Sequence, residues 1–155
     1  METKSKTYAT QVFYTNTKAL QIQISSNGIF FEIAPELKGT DRYDWDKKVG
    51  VKFSVTEVCN LLYGLENFRT KGEQGYIAAA QSICGVNYKN MQFIHKNRRN
   101  EDVRTGLNFY NNGLSFIINN KIANVNTNFP ILPTERIRFE KFLNFIINTA
   151  FTKGV

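Results

Sequence analysis

Histidine is almost absent from this chain: His95 is the one imidazole in 155 residues. A nucleophile-base triad or a histidine-rich metal site therefore has almost nothing to build on. Its alternation with Met91 and Phe93 fits a hydrogen-bonded structural imidazole on one strand face. Cysteine is nearly as scarce. Cys59 and Cys84 make a poor disulfide framework, which points to an intracellular reducing compartment, and with His95 they lack zinc spacing. No apolar run approaches about 18 residues, so no membrane-spanning helix is expected. METKSKTYATQ also lacks the apolar core of a signal peptide. A P-loop, a dinucleotide fingerprint and a nucleophile elbow are missing, as are internal repeats and low-complexity tracts. These absences argue against an enzyme, a cofactor and a small-molecule substrate.

What the chain does have is positive charge. Lys and Arg total 20 against 13 Asp and Glu, a formal +7 that favours polyanions or acidic surfaces as partners. The length suits one domain with a sizeable core. Residues 1–9 are expected to form a polar flexible tail and 10–155 the domain, interrupted by a long loop over 66–87 with three glycines and no sustained period.

Tyr43 to Leu62, YDWDKKVGVKFSVTEVCNLL, is the most legible stretch. Val49, Val51 and Phe53 alternate with Gly50 and Lys52, the period of a half-buried strand. Ser54-Val55-Thr56-Glu57 fits a capping box, and Val55, Val58, Cys59 and Leu62 form a helical stripe that Gly64 is placed to stop. Asp41, Asp44 and Asp46 crowd the preceding turn, where Arg42, Lys47 and Lys48 favour salt bridges over a bound metal.

Before this stretch, Gln11 to Tyr14 and Leu20 to Ile24 read as strand with a break at Thr15 to Thr17. Ser25-Ser26-Asn27-Gly28 is a turn, and Ile29 to Ile33 pairs back. After it, Tyr88 to Lys96, Thr105 to Tyr110, Leu114 to Asn119 and Ile122 to Asn126 alternate as four more strands. Asn111-Asn112-Gly113 and Asn119-Asn120 are the expected turns. Pro130 and Pro133 mark the exit. Thr134 is placed to cap a helix with Phe139, Phe142, Leu143, Ile146 and Ala150 on one stripe, widened by Ile137, Phe145 and Ile147. Such a wide stripe is expected to pack against a second subunit as well as the core.

Period-2 alternation divides the first sheet. Leu20, Ile22, Ile24, Ile29, Phe31, Ile33, Val49, Val51 and Phe53 face the core, and Gln21, Gln23, Phe30, Glu32, Lys48 and Lys52 face away. Cations that track phosphates beside an aromatic face that stacks a base are the means of holding single strands. A plain solvated face or a subunit contact for Phe30 accounts for the same residues. On the second sheet Asn108, Tyr110, Ser115 and Ile117 share a face, with Tyr110 a further stacking candidate. Lys96, Arg98, Arg99 and Arg104 form an auxiliary cationic cluster.

The YDW-x-KK, strand, S-V-T-E order resembles the Whirly family of single-stranded-DNA-binding proteins, relatives in fold of kinetoplastid mitochondrial guide-RNA-binding proteins. FYTNTKAL at Phe13 to Leu20 resembles the Whirly motif KGKAAL with its preceding apolar-tyrosine pair. MQFIHK at Met91 to Lys96 and the run from Thr134 to Ala150 resemble later family segments. Gapless alignment sets KGKAAL on Thr15, Asn16, Thr17, Lys18, Ala19 and Leu20, so threonines replace both motif lysines and Lys18 stands at the first alanine. Tyr14, Asp44, Trp45 and Lys48 match better, although a lone tryptophan more often anchors a loop than stacks a base.

The resemblance implies an α+β fold of two crossed four-stranded antiparallel sheets held by two helices, and a homotetramer. It also implies binding of single-stranded DNA with weak sequence preference, in replication, repair or recombination. The residues expected to touch nucleic acid are Tyr14, Thr15, Asn16, Thr17, Lys18, Gln21, Gln23, Phe30, Lys48, Lys52, Tyr110, Lys96, Arg98 and Arg99. RNA binding or annealing is the close rival, and a basic protein-interaction scaffold the alternative of another class.

Overall fold

The computed structural model describes residues 4–111 and 113–155, and the architecture is α+β. Four strands, Thr7–Tyr14 (β1), Lys18–Ser25 (β2), Gly28–Pro35 (β3) and Val49–Phe53 (β4), form one antiparallel sheet in the order β1-β2-β3-β4. The helix Val55–Cys84 (α1) follows. Met91–Lys96 (β5), Asp102–Tyr110 (β6), Gly113–Asn120 (β7) and Val125–Ile131 (β8) form a second antiparallel sheet, again in sequential order, and Arg136–Lys153 (α2) ends the fold.

Alternation sets the core. Leu20, Ile22, Ile24, Ile29, Phe31, Ile33, Val51 and Phe53 are buried on one side of the first sheet, and Met91, Leu107, Phe116 and Ile118 on one side of the second. The two inner faces meet through rings. Phe31 lies 4.6 Å from Phe53 and 5.1 Å from Phe116, and Phe53 lies 5.9 Å from Phe116, in tilted and edge geometries that suit aromatic quadrupoles. Both helices pack on each other; α1 also covers β5, and α2 covers β1 and β2.

The capping box forms as expected: Ser54 Oγ accepts from the Glu57 amide at 3.2 Å, and Glu57 Oε1 accepts from the Ser54 amide at 2.9 Å. The helix does not stop at Gly64. There a side chain would press on Met91, its Cβ 3.0 Å from Met91 Cε, so the glycine lets α1 lie close on β5. Nor is 66–87 a loop, because α1 continues to Cys84 across a kink at Gly72, whose φ of 70° breaks the helical phase. Beyond the kink Tyr76, Ala79 and Ala80 are buried at helical spacing. Tyr76 anchors this half. Its hydroxyl donates to the Leu107 carbonyl and accepts from the Met91 amide, and burial raises its phenol pKa above the usual value.

Other boundaries move as well. The expected tail joins the sheet from Thr7, and the Lys6 amide donates to Ser26 Oγ at 3.0 Å. Thr15 to Thr17 is a turn between two paired strands, not a bend within one. Asn119 and Asn120 belong to β7, the turn falls over Lys121 to Asn124, and β8 runs on through Pro130. An edge strand tolerates that proline because one row of its amides needs no ladder partner. Asn111 adopts a left-handed φ of 50°, while Asn112 of the expected turn lies outside the described residues. Glu135, not Thr134, occupies the N-cap of α2, without a side-chain hydrogen bond. In α2 the stripe of Phe139, Leu143, Ile146 and Ala150 is buried together with Glu140, whose carboxylate accepts from Arg69 Nε at 3.1 Å.

Replacing Tyr76 with phenylalanine removes a hydroxyl that satisfies a buried carbonyl and a buried amide, so it is expected to cost about 1–3 kcal/mol. Urea unfolding measures it; an unchanged midpoint would mean that the second half of α1 is not held to β5 and β6 in this way.

Candidate nucleic-acid interface

The residues singled out from sequence fall into three places. The first is a cleft of about 600 Å³ between the β3–β4 side of the first sheet and the β5–β6 hairpin, lined among others by Phe30, Glu32, Lys52, Lys96 and Arg98. On the outer face of the first sheet, cross-strand pairing sets Gln23, Phe30 and Lys52 in one row, and Gln21, Glu32 and Gly50 in the next. Lys52 Nζ stands 6.0 Å from the Phe30 ring centroid. Its stem crosses Gly28, where a Cβ would come within 2.5 Å of Lys52 Cε; the φ of 131° there also favours glycine. Glu32 folds over Gly50 and reaches Lys48 at 2.8 Å, so Lys48 brings a partly neutralised charge. The two glutamines lie beside the cleft, Gln21 Nε2 donating to Gln23 Oε1 at 3.2 Å.

The hairpin supplies the far wall. Asn97 Oδ1 accepts from the Arg99 and Glu101 amides, both at 2.9 Å, and Asn100 takes a left-handed φ of 59°, which fixes a tight loop. Arg98 and Arg99 are exposed on it and form no ion pair among the described residues. Lys96 pairs with Asp102 at 2.6 Å in solvent, a contact worth little net energy. His95 lines the inner wall, edge-on to Phe53, with Nε2 3.0 Å from Glu57 Oε2 but not aligned for a hydrogen bond.

The second place gathers the Tyr14 end. Tyr14, 56% exposed, stands 5.4 Å from Tyr43, and the two form an open depression with Asp41, Arg42 and Trp45. Tyr43 Oη donates to the Thr15 carbonyl at 2.7 Å and holds the turn. Thr15 Oγ1 accepts from the Lys18 amide at 3.1 Å, so this hydroxyl is engaged, while Asn16 and Thr17 are exposed. Tyr43 and Arg42 are not among the residues expected to touch nucleic acid, although the YDW sequence points to this turn. The expected salt-bridged turn does not form. Lys48 reaches Glu32 because β4 lays it beside β3, and Asp41, Asp44 and Asp46 make no ion pair among the described residues.

The third place is the outer face of the second sheet, with Tyr110 75% exposed at its end. Lys18 belongs near here and not beside Phe30. Alternation turns it to the inner side of β2, where Nζ donates to Asn128 O and Oδ1, both at 2.7 Å, and burial lowers its pKa. Asn126 and Asn128 alternate along β8; the strand expected over Ile122 to Asn126 ends before Asn128.

No protein-family model matches the chain, and no curated protein matches it. Among the described residues no helix is long and apolar enough to cross a membrane.

Glu32→Gln frees the Lys48 cation beside the first cleft and is expected to raise the salt needed for elution from immobilised heparin, whereas Lys48→Ala leaves Glu32 an unpaired anion there and is expected to lower it. Elution unchanged in both variants would show that this side of the cleft does not meet the polyanion.

Proposed function

We propose that the chain is a non-enzymatic single-stranded nucleic-acid-binding protein, with single-stranded DNA as its first ligand, RNA as the rival, and weak sequence preference. One observation carries this reading: Phe30, Lys52, Lys96 and Arg98, drawn from both sheets, border one open cleft of about 600 Å³. Cations beside a partly exposed ring offer phosphate attraction and base stacking together, and stacking needs an unpaired base. The Whirly resemblance of the YDW and FYTNTKAL segments supports the same ligand, and an element order of four strands, helix, four strands, helix agrees with it. Replication, repair or recombination would suit such a protein.

The reading extends to self-association, with a homotetramer as the state that the resemblance implies. Ile137, Phe145 at 52% and Phe151 at 75% exposure leave α2 with apolar side chains that the single chain does not cover. Phe145 lies near parallel to Phe142, 6.3 Å between centroids, and Phe142 itself packs on the core.

Anisotropy with matched single-stranded DNA, single-stranded RNA and duplex at two salt concentrations tests the first part. Lys52→Ala is expected to reduce the log-log salt slope by about 0.7. Phe30→Ala should cost about 1–3 kcal/mol at an unchanged slope and melting temperature. Binding to none of the three ligands would overturn the reading and favour a scaffold that adds partner strands. For the second part, light scattering should return a multiple of the chain mass at micromolar protein. Phe145→Asp should lower that mass while the far-UV circular dichroism of the folded chain is kept, since this ring is exposed in the single chain; a monomer mass for the unaltered protein sinks self-association.

A further inference from the structure

Glu32 is out of place in a cleft that attracts phosphate. Among the described residues it is the one acidic side chain of the lining, against Lys52 on its own sheet and Lys96 and Arg98 on the hairpin wall. A carboxylate there repels the backbone of a strand, so phosphate binding alone does not account for it. Its orientation is fixed. The side chain crosses Gly50, where a Cβ would meet Glu32 Cγ at 3.2 Å, and Oε2 forms an ion pair with Lys48 Nζ at 2.8 Å. Oε1 has no hydrogen-bond partner among the described residues and reaches the solvent of the cleft, and 18% of the side chain is exposed. A carboxylate has about four lone-pair sites, so Lys48 occupies one and leaves the others to a ligand. Phe30 lies two residues before Glu32 on the same face of β3, about 6.6 Å along the strand, and borders the same cleft.

A ring to stack on, a carboxylate on one wall and an arginine on the other select among bases by their edges. An ionised carboxylate only accepts. Guanine alone among the common bases sets two donors side by side, the ring N1–H and the N2 amine, and its neighbouring O6–N7 edge only accepts. We propose that the cleft is a guanine-preferring subsite. Glu32 accepts from N1–H and the N2 amine in a charge-assisted pair, and Phe30 stacks on the base. Arg98, exposed and without an ion pair among the described residues, donates to the O6–N7 edge. Adenine and cytosine present one amine beside a bare ring nitrogen, which sets a lone pair against the second carboxylate oxygen. Thymine and uracil present one N–H between two carbonyl oxygens, which the carboxylate repels. Lys48 is a positioning residue here, because its ion pair holds the carboxylate over Gly50. The subsite rests on the single-strand reading for its biological ligand, since the N1–H edge is occupied in a duplex, and adds to it a preference that stacking and cations alone do not provide.

Two measurements test it separately from that reading. In competition binding, an oligo-dT carrying one central guanine should bind about tenfold more tightly than the all-thymine oligomer of equal length, the effect of one charge-assisted pair. Hypoxanthine in place of that guanine lacks the N2 amine and should lose most of the gain. Glu32→Gln should raise the affinity for the all-thymine oligomer, since it removes a like charge, and should abolish the ratio between the two, since an amide pairs with either base. Glu32→Asp, which keeps a carboxylate, should retain part of the ratio. Melting temperatures identify any variant that fails to fold. Equal binding of the two oligomers by the unaltered protein, or a ratio that survives Glu32→Gln, overturns the subsite and leaves single-strand binding standing. The second measurement uses nucleosides and needs no strand: the Glu32 side-chain carboxyl signal in NMR should shift with deoxyguanosine and not with thymidine. If no oligomer binds, the single-strand reading falls while this titration still decides the cleft, and an unmoved Glu32 signal rejects the subsite.

Discussion

The packing of Phe31, Phe53 and Phe116 is the constraint on which the rest of the structure depends. Each ring is almost fully buried, two come from the first sheet and one from the second, and their mutual contact sets how the two inner faces meet. Everything placed on the outer faces follows from that docking. Phe31 and Phe53 point inward, so their neighbours Phe30 and Lys52 must point outward. Burying a phenylalanine contributes about 1.5–3 kcal/mol, so a one-residue slip of β3 would both expose the core rings and withdraw the outward pair. The core and the candidate interface thus depend on one register.

Charge is distributed by the same geometry. The first cleft concentrates cations from both sheets, yet Glu32 and Asp102 moderate it. The outer face of the second sheet carries a depression lined, among the described residues, by Asn90, Asn108, Tyr110, Ser115, Asn126 and Asn128 and by no charged side chain. The cations of the cleft and this uncharged depression thus lie on different surfaces, and Lys18 stands by the second because alternation directs it away from Phe30. A net charge of +7 gave no hint of this division.

How much was legible depended on whether a period ran unbroken. The first sheet was readable because Ser25-Ser26-Asn27-Gly28 punctuates two clean alternations, and β2 and β3 pair without a bulge over their full length. The second half of α1 was not, because Gly72 resets the helical phase: Leu61, Leu65 and Phe68 lie on one buried stripe and Tyr76, Ala79 and Ala80 on another, so no single period spans both. In β8, Pro130 read as an exit because its place at a sheet edge could not be known from composition. Candidate residues were legible by face, since alternation is local. Which faces would share a cleft was not, because Phe30 and Arg98 are brought together only by the way the sheets dock.

Sequential strand order leaves β1, β4, β5 and β8 as edges, and three of them resist extension. β4 is five residues long and carries Lys52, β5 is six long and ends in Lys96, and β8 contains Pro130. Short length, lysine and proline are the usual defences against strand addition. β1 has none of them: TYATQVFY is eight residues without charge, glycine or proline, rich in side chains that favour extended backbone. Arg138 reaches Gln11 at 2.9 Å, and Lys153 lies over the Tyr8 ring, so both ends of α2 touch this strand. The terminal helix thus acts as a guard rail. If it frays, the least protected edge of the molecule loses its chaperone, and runaway sheet growth between copies has its starting point there.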